Sequence, residues 1–434
     1  MPRPTPSLRR VVLVDGCRTP FQKVSTGFGD LMSYQLASAA IRGLLERTGL
    51  SAGDVERILI GGTVHNPRTN NVAREAALDA GLPASVPALT VTAAGASATA
   101  AVSIGADLVA TGQVDAVIAG GSDCISDPPI GFRRSMRRKL LRARRLRGAR
   151  QWMAFLSTLR PGDFLPEIPD ITEFSTGETM GQYAEGLARR LGITRADQDA
   201  YAAESHRRAA EARSRGLLAP EIVPVETADG TRVGEDNGIR PGTDAAALGT
   251  LEPSFARGGS LTAGNSSFLT DGAAVVLLMA EERARALGLT PRARLLASTL
   301  TAHDPKTELL LGPAFAIPKV LDALGLSLGD VDVFEIHEAF AAQILAVLRL
   351  LASDDFAARQ LGRGSAVGTI PPDRLNAWGG SLALGNPFAP NGARLLTTAA
   401  HRLWEEDADL AMVATCAGGA LGQAMVLERA EIAP

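Results

Sequence analysis

The chain has 434 residues, of which 46% are hydrophobic and 4% aromatic, and a formal net charge of −3. That length exceeds one ordinary core and predicts two or three domains, while the near-neutral balance excludes a nucleic-acid partner held by bulk charge. Cys17, Cys124 and Cys416 are too scattered for a disulfide framework or a metal site, Met1-Pro2-Arg3-Pro4 lacks a signal-peptide core, and no apolar run is long enough to span a membrane, so the expectation is a soluble, cytoplasmic protein.

Arg10 to Gly16 reads as a buried strand leading into Cys17-Arg18-Thr19-Pro20-Phe21. A helix is predicted over Ser33 to Thr48, a turn and strand over Leu50 to Gly62, and a second helix over Asn71 to Ala80. The apolar run Val86 to Val91 predicts a strand. The residues after it, Ala93 to Val109, predict a helix that stops at Gly112. That helix is small or apolar on almost every face, with Asp107 its only charge, so it belongs in the interior. Its N-terminus, at Gly95, offers free N–H groups and a partial positive charge, a setting that activates a nucleophile or holds an oxyanion. Gly95 itself brings no side chain. Val114 to Gly121 is the next buried strand, and strands alternating with helices predict a parallel-rich α/β sheet.

From about Asp127 the composition changes. Arg133 to Arg150 is crowded with arginine around Leu140, Leu141 and Leu146, and Pro-rich loops and polar helices such as Arg195 to Arg215 follow. Gly259 to Asn265 returns to core-like sequence, and Ala273 to Met279 is again a buried run. Then the opening pattern recurs. Ala293 to Ala297 mirrors the first strand, Leu326 to Ile336 mirrors the Leu50 stretch, and Ala408 to Ala414 mirrors the strand at Val114. This is an internal duplication of half-domains. The boundaries expected are 1–126 plus 259–289 for the first half, 127–258 for an inserted loop subdomain, and 290–434 for the second half. Two such halves sharing a buried helix pair predict a five-layer α-β-α-β-α stack, with loops at equivalent strand ends meeting in one crevice.

At that crevice the second half places His337-Glu338-Ala339-Phe340, Gly379-Gly380-Ser381-Leu382-Ala383-Leu384-Gly385-Asn386-Pro387-Phe388, expected to open a small-residue helix through Ala393, and Cys416-Ala417-Gly418-Gly419. Each sets a polar or reactive group beside glycines that let a ligand touch backbone N–H groups. Taken singly each is an ordinary tight turn; together in a duplicated frame they mark a site. These stretches, with Asp15 to Phe21, Asn71 to Ala77, Glu173-Phe174-Ser175-Thr176, Asp236 to Pro241 and Asn265 to Ala273, resemble the thiolase family nearly end to end, most closely its trifunctional-enzyme β-subunit (3-ketoacyl-CoA thiolase) type.

The resemblance implies a thiolase fold, coenzyme A thioesters as substrates and no permanently bound cofactor. In that family a cysteine at the central helix takes the acyl group, a histidine activates it, a second cysteine moves the α-proton, and an Asn or His holds a water in an oxyanion site. Carried over by position, these roles fall on Gly95, Asn386, Cys416 and His337, with the Gly95 and Gly418 N–H groups forming a second oxyanion site. Glycine has no atom to acylate and asparagine takes up no proton near neutral pH. The nucleophile and its activator are therefore both replaced. Ser97 points away from the Gly95 direction and Cys124 reads as packing; Cys416, paired with His337, is the remaining thiol able to substitute. Ser267, Met180 and Arg240 match positions that line the coenzyme A channel, or are plain loop and cap residues. The Arg133–Arg150 run is a solvated face, or meets coenzyme phosphates, an acidic carrier or anionic lipid. In the resembled β subunits the equivalent insertion contacts a partner subunit and membranes. Three functions follow: an acyltransferase or carbon–carbon chemistry without an acyl-enzyme at position 95, a non-catalytic subunit that shapes a partner's pocket, or thiolysis with a displaced nucleophile. A homodimer or larger assembly, with or without a second subunit, is expected in each.

Overall fold

The computed structural model describes residues 8–168 and 172–431. The first half runs β1 (Val11–Arg18), α1 (Ser33–Thr48), β2 (Arg57–Gly61), α2 (Val72–Asp79), β3 (Ala88–Val91), α3 (Ser97–Ala110) and β4 (Ala116–Asp123). The insertion carries α4 (Arg134–Ala143), α5 (Ala149–Leu156), α6 (Met180–Leu191) and α7 (Arg195–Ser214). After β5 (Thr270–Ala280) the second half runs β6 (Ala293–Ala302), α8 (Gly312–Leu324), β7 (Val333–Ile336), α9 (Ala341–Leu351), α10 (Asn391–Glu405), β8 (Leu410–Ala417) and β9 (Leu421–Arg429).

The strands lie in the order β3-β2-β4-β5-β1-β6-β9-β8-β7. Within the sheet the halves pair where Val12 and Leu13 of β1 meet Arg294 and Ala293 of β6. Each half repeats the same plan outward from that seam. Where the first half has β3 beside β2, the second has Leu375 paired in parallel with Phe334 of β7. The sheet is less parallel than the alternation of strands and helices predicts. Only β2–β3, β2–β4 and β7–β8 are parallel; the other main-sheet pairings are antiparallel. The reason lies in the connections: β5 returns from the insertion to lie between β1 and β4, and β8 turns directly into β9 through Gly418–Ala420.

Both faces are covered along β1, β4, β5, β7 and β8, which is why these strands read as continuous apolar runs rather than alternating ones, whereas β3 and β6 are partly exposed. Along β5, Val275, Leu277 and Met279 pack with Leu36, Ile41 and Leu44 of α1. Val276, Leu278 and Ala280 point the other way, into a layer with Val102 and Val109 of α3 and Leu395 and Leu396 of α10. Ala411 and Val413 of β8 close that layer from the second half. Met412 and Ala414 face an outer core with Ile317 and Leu321 of α8 and Ile344 of α9. The period of two along each strand thus separates three cores, and α3 with α10 forms the middle of five layers. Small residues make the middle possible: a Cβ on Gly61 would come 2.5 Å from the Ser97 carbonyl carbon and 2.8 Å from the Ala98 nitrogen, so α3 lies directly on β2.

Two local features differ from the sequence expectation. The α-helix starts at Ser97, and Gly95 lies in a preceding 3-10 turn, Ala94–Ala96. Gly379 to Ala393 is not one helix. A short turn, Ser381–Leu384, ends at Gly385 (φ 102°), and Pro387 and Pro390 delay the next helix to Asn391. In the insertion, Tyr183 and Leu187 of α6 join the outer core of the second half. On α4 and α5, by contrast, Leu141, Trp152, Met153 and Leu156 are exposed. Among the described residues no helix is long and apolar enough to cross a membrane.

Candidate active site

Three turns converge at the ends of β3, β8 and the Gly385–Pro390 segment. A Cβ on Gly95 would lie 3.1 Å from the Cys416 carbonyl oxygen and 3.8 Å from the Ala417 Cα. A Cβ on Gly418 would lie 3.5 Å from Ala94 Cβ, 3.6 Å from Met180 Cε and 3.6 Å from Glu173 Oε2. Gly95 thus lies against the Cys416–Ala417 backbone, and Gly418 lies against Ala94, Met180 and Glu173. Each turn holds a non-glycine residue in the left-handed region: Ala94 (φ 47°), Phe388 (φ 61°) and Ala420 (φ 57°). Such residues cost about 1–3 kcal/mol each and persist where the surroundings fix them.

Asn386 is buried and fully engaged. Its Nδ2 donates to Ser267 Oγ at 3.1 Å, and its Oδ1 accepts from Asn391 Nδ2 at 2.6 Å and from the Phe388 N–H at 3.1 Å. Ser267 Oγ in turn donates to the Ala339 carbonyl at 2.8 Å, so this hydroxyl is committed to the loop that carries His337. Arg240 lies over the Phe268 ring at 5.9 Å and Lys23 lies over the same ring at 5.5 Å. Burial, and then the charges of Arg240 and Lys23, push His206 down to about 4.

His337 follows β7 and is buried. Its Nδ1 is 3.0 Å from Ser381 Oγ, which also receives a hydrogen bond from Arg394 Nη2 at 3.2 Å. Ser381 Oγ has one proton and two lone pairs, so with Arg394 donating to it the contact with Nδ1 is satisfied by either neutral tautomer. Nε2 has no partner among the described residues. Burial, then the Arg394 charge, pushes His337 down to about 3, so it is neutral. Glu338 beside it accepts from Tyr201 at 3.0 Å, Ser205 at 2.8 Å and Asn376 at 2.7 Å. This buried carboxylate pins the loop to α7 of the insertion.

The expected thiolate–imidazole pair is not made. No hydrogen bond joins Cys416 to His337 among the described residues, and burial pushes the Cys416 thiol up to about 12. His337 Nδ1 is engaged by Ser381 Oγ instead, and Arg394 bonds that serine rather than the imidazole. Ser97 spends its hydroxyl on Ala93 N–H at 2.9 Å and Ala94 O at 2.6 Å. Cys124 donates to Leu31 O at 3.0 Å, and burial pushes its thiol up to about 12.

Sequence reasoning assigned no separate role to Glu173, Ser381 or Arg394. Glu173 Oε2 accepts the Gly419 N–H at 2.8 Å, and Oε1 accepts Ser175 Oγ at 2.9 Å. Its presence in the motif Glu173-Phe174-Ser175-Thr176 was the only signal.

The chain matches the model of the thiolase N-terminal domain over residues 11–282 and that of the thiolase C-terminal domain over residues 289–429. It is 46% identical to the mitochondrial trifunctional enzyme subunit beta of Bos taurus, over 98% of this chain and 89% of that protein. It is 40% identical to a 3-ketoacyl-CoA thiolase of Serratia proteamaculans (strain 568), over 96% of this chain and 97% of the other. The crystal structure of the Bacillus anthracis acetyl-CoA acetyltransferase superposes with a TM-score of 0.84 at 29% identity, covering 98% of this chain and 100% of that one. Human mitochondrial 3-ketoacyl-CoA thiolase gives 0.83 at 27% identity, over 98% and 99%. With both domain models matched in order along nearly the whole chain, this protein belongs to the thiolase family.

Proposed function

We propose that the protein acts on acyl-CoA or carrier-bound acyl thioesters through an enolate, in acyl transfer or carbon–carbon bond formation or cleavage, with no acyl-enzyme at position 95. The observation that carries this reading is a site that keeps its donors around a position with no nucleophile. Gly95 lies in the first turn ahead of α3, where backbone N–H groups lack intrahelical acceptors, and His337 Nε2 has no partner among the described residues. The strained turns at Ala94, Phe388 and Ala420 hold that frame at a cost the chain has not relaxed. Donors aimed at a developing oxyanion stabilise an enolate as well as a tetrahedral intermediate. Lys23 and Arg240 beside Ser267 supply positive charge for the phosphates of a coenzyme A tail.

The test is mass spectrometry of the intact protein and of released small molecules after incubation with acyl-CoA and 3-oxoacyl-CoA. Turnover without a protein adduct is expected. An adduct lost in Cys416→Ala would replace this reading with a displaced nucleophile, a reading already disfavoured by the buried, unpartnered thiol. A second reading is favoured by the α4–α5 hairpin, whose exposed apolar and basic side chains suit a docking face. On that reading the chain serves as a subunit held at a partner or an anionic membrane, and shapes a pocket rather than turning over. No change in any thioester would select it.

A further inference from the structure

The middle layer holds a buried cation whose donors are left almost unused. Arg394 of α10 is fully buried, and of Nε, Nη1 and Nη2 only the last makes a hydrogen bond, to Ser381 Oγ at 3.2 Å. Nε and Nη1 have no hydrogen-bond partner among the described residues. Nη1 lies 3.5 Å from Glu335 Oε2, while Arg402 Nη1 holds the other oxygen of that carboxylate at 2.8 Å. Taking a cation out of water without filling its donors is costly, and chains keep such arrangements where function requires them. The one bond that Arg394 makes leads to the site. Ser381 Oγ is 3.0 Å from His337 Nδ1, and this is the only hydrogen bond of the imidazole among the described residues. Ser381 opens the turn Ser381–Leu384, whose Leu382 N–H donates at 3.2 Å to Glu338, the residue after His337.

We propose that Arg394 is a positioning residue for His337: it fixes the serine hydroxyl against which the imidazole rests, and it keeps that ring uncharged. The inference rests on the proposed function only for the part His337 plays toward a thioester. Protonation of the ring would make Nδ1 a donor. Ser381 Oγ would then accept from both Nδ1 and Arg394, and its own hydrogen would have no acceptor among the described residues. The imidazolium would also stand against the arginine charge. Burial, and then that charge, hold the ring down to about 3. No acid offsets them. Glu338 accepts from Tyr201, Ser205 and Asn376, Glu335 is engaged by Arg402 and Arg394, and Cys416, in the turn after β8, is a neutral thiol. A neutral ring held at Nδ1 keeps Nε2 as its one free nitrogen, in a fixed place.

The experiment is nitrogen NMR of the full-length protein carrying isotope-labelled histidine, with His337 identified among the five histidines by its absence in His337→Asn. The wild-type ring is expected to stay neutral from about pH 7.5 to about pH 4.5, with Nδ1 giving the signal of a hydrogen-bonded nitrogen. In Arg394→Met its midpoint is expected to rise by about 1 or more, a tenfold or greater gain in proton affinity, while Arg394→Lys, which keeps the charge, stays close to wild type. In Ser381→Ala the Nδ1 signal is expected to move to that of an unbonded nitrogen, and Ser381→Thr, which keeps the hydroxyl, to restore it. A purely structural arginine would not move the midpoint. An unchanged midpoint in Arg394→Met, with the remaining histidine signals in place, would therefore overturn the assignment. Should that variant not fold, an unchanged Nδ1 signal in Ser381→Ala would overturn it as well. Acyl-CoA is then added to the wild type until it saturates. Movement of the Nε2 signal supports the part of His337 in the proposed function; no movement with acyl-CoA bound would remove that part while leaving the Arg394 assignment intact.

Discussion

A cysteine at position 95 would meet little resistance. The backbone there is outside the left-handed region, and only the Cys416 carbonyl oxygen, 3.1 Å from the new Cβ, would have to yield by a few tenths of an ångström. Asn386, by contrast, is tied to Ser267 and Asn391 and provides no base. Gly95→Cys alone is therefore expected to form an acyl adduct slowly. Gly95→Cys with Asn386→His should form it faster by about 10²–10⁴, the range of one general base. Equal rates, read by intact mass against time, would show that position 386 does not activate position 95. His337 gives a second prediction. The unfolded imidazole titrates near 6.5 and the folded one near 3. Between those values the unfolded chain binds more protons, so stability falls as the pH drops below about 6.5 and is untouched by this group above it. Urea melts from about pH 8 to about pH 4.5 should show that slope, and His337→Asn should shallow it; an unchanged slope would mean that the imidazole is not buried neutral. Gly95 was legible as the start of the central helix, and His337, Asn386 and Cys416 as polar groups in glycine-flanked turns; the roles expected of them came from the family resemblance. Their partners were not legible. Ser381 lies 44 residues from His337, and Glu173 lies 246 residues from Gly419, contacts that no local pattern encodes.

At the scale of elements, the same substitution should act with opposite sign in two places. Gly61 ends β2 where α3 crosses it, and an added methyl would strike the backbone of Ser97 and Ala98, which cannot rotate away. Gly61→Ala is expected to lower stability by about 1–3 kcal/mol through overpacking. Gly186 lies exposed in α6 with a helical backbone and nothing within 4 Å of an added Cβ. Gly186→Ala is expected to raise stability by about 0.5–1 kcal/mol, because alanine has less freedom to lose and propagates a helix better. Thermal and urea melts of the two variants decide both; a stable Gly61→Ala would mean that α3 and β2 are not in backbone contact. Helix α1, predicted over Ser33 to Thr48, forms over those residues, and α2 and α7 differ by a residue at their ends. Amphipathic period and caps carry such elements. The broken segment from Gly379 to Pro390 was read as one helix because its small residues suit one. Tertiary contacts decide otherwise: Asn386 bridges to Leu269, and the Ala389 N–H donates to Asp123 at 2.9 Å, which holds the chain extended there.

For the molecule as a whole, the insertion stands outside the duplication, and of its helices the α4–α5 hairpin contributes almost nothing to the layered cores. Residues 133–150 hold nine arginines and one lysine with no acid. Among the described residues only Arg137 and Lys139 of these are ion-paired, with Glu167 and Asp163. Beside that charge stand Leu141 at 62% exposure, Met153 at 65% and Leu156 at 57%, with Trp152 packed edge-on against Phe155. Unpaired cations next to exposed apolar side chains are the composition of a surface that docks at an anionic interface, charge drawing it in and apolar groups inserting. The full chain is expected to sediment with vesicles containing phosphatidylserine and to stay in solution with phosphatidylcholine alone. Each basic residue near such a surface contributes about 1 kcal/mol, so Arg142→Glu with Arg145→Glu should weaken binding by about thirtyfold or more. Raising salt from about 0.1 M to about 1 M should release the protein, because the screening length falls from about 10 Å to about 3 Å. Trp152→Ser should weaken binding at every salt concentration, because its contribution is apolar and unscreened. No sedimentation with phosphatidylserine vesicles would reject a membrane role for the hairpin and leave a protein partner as the occupant of that face; binding indifferent to both the charge reversal and salt would reject the part assigned to the arginines.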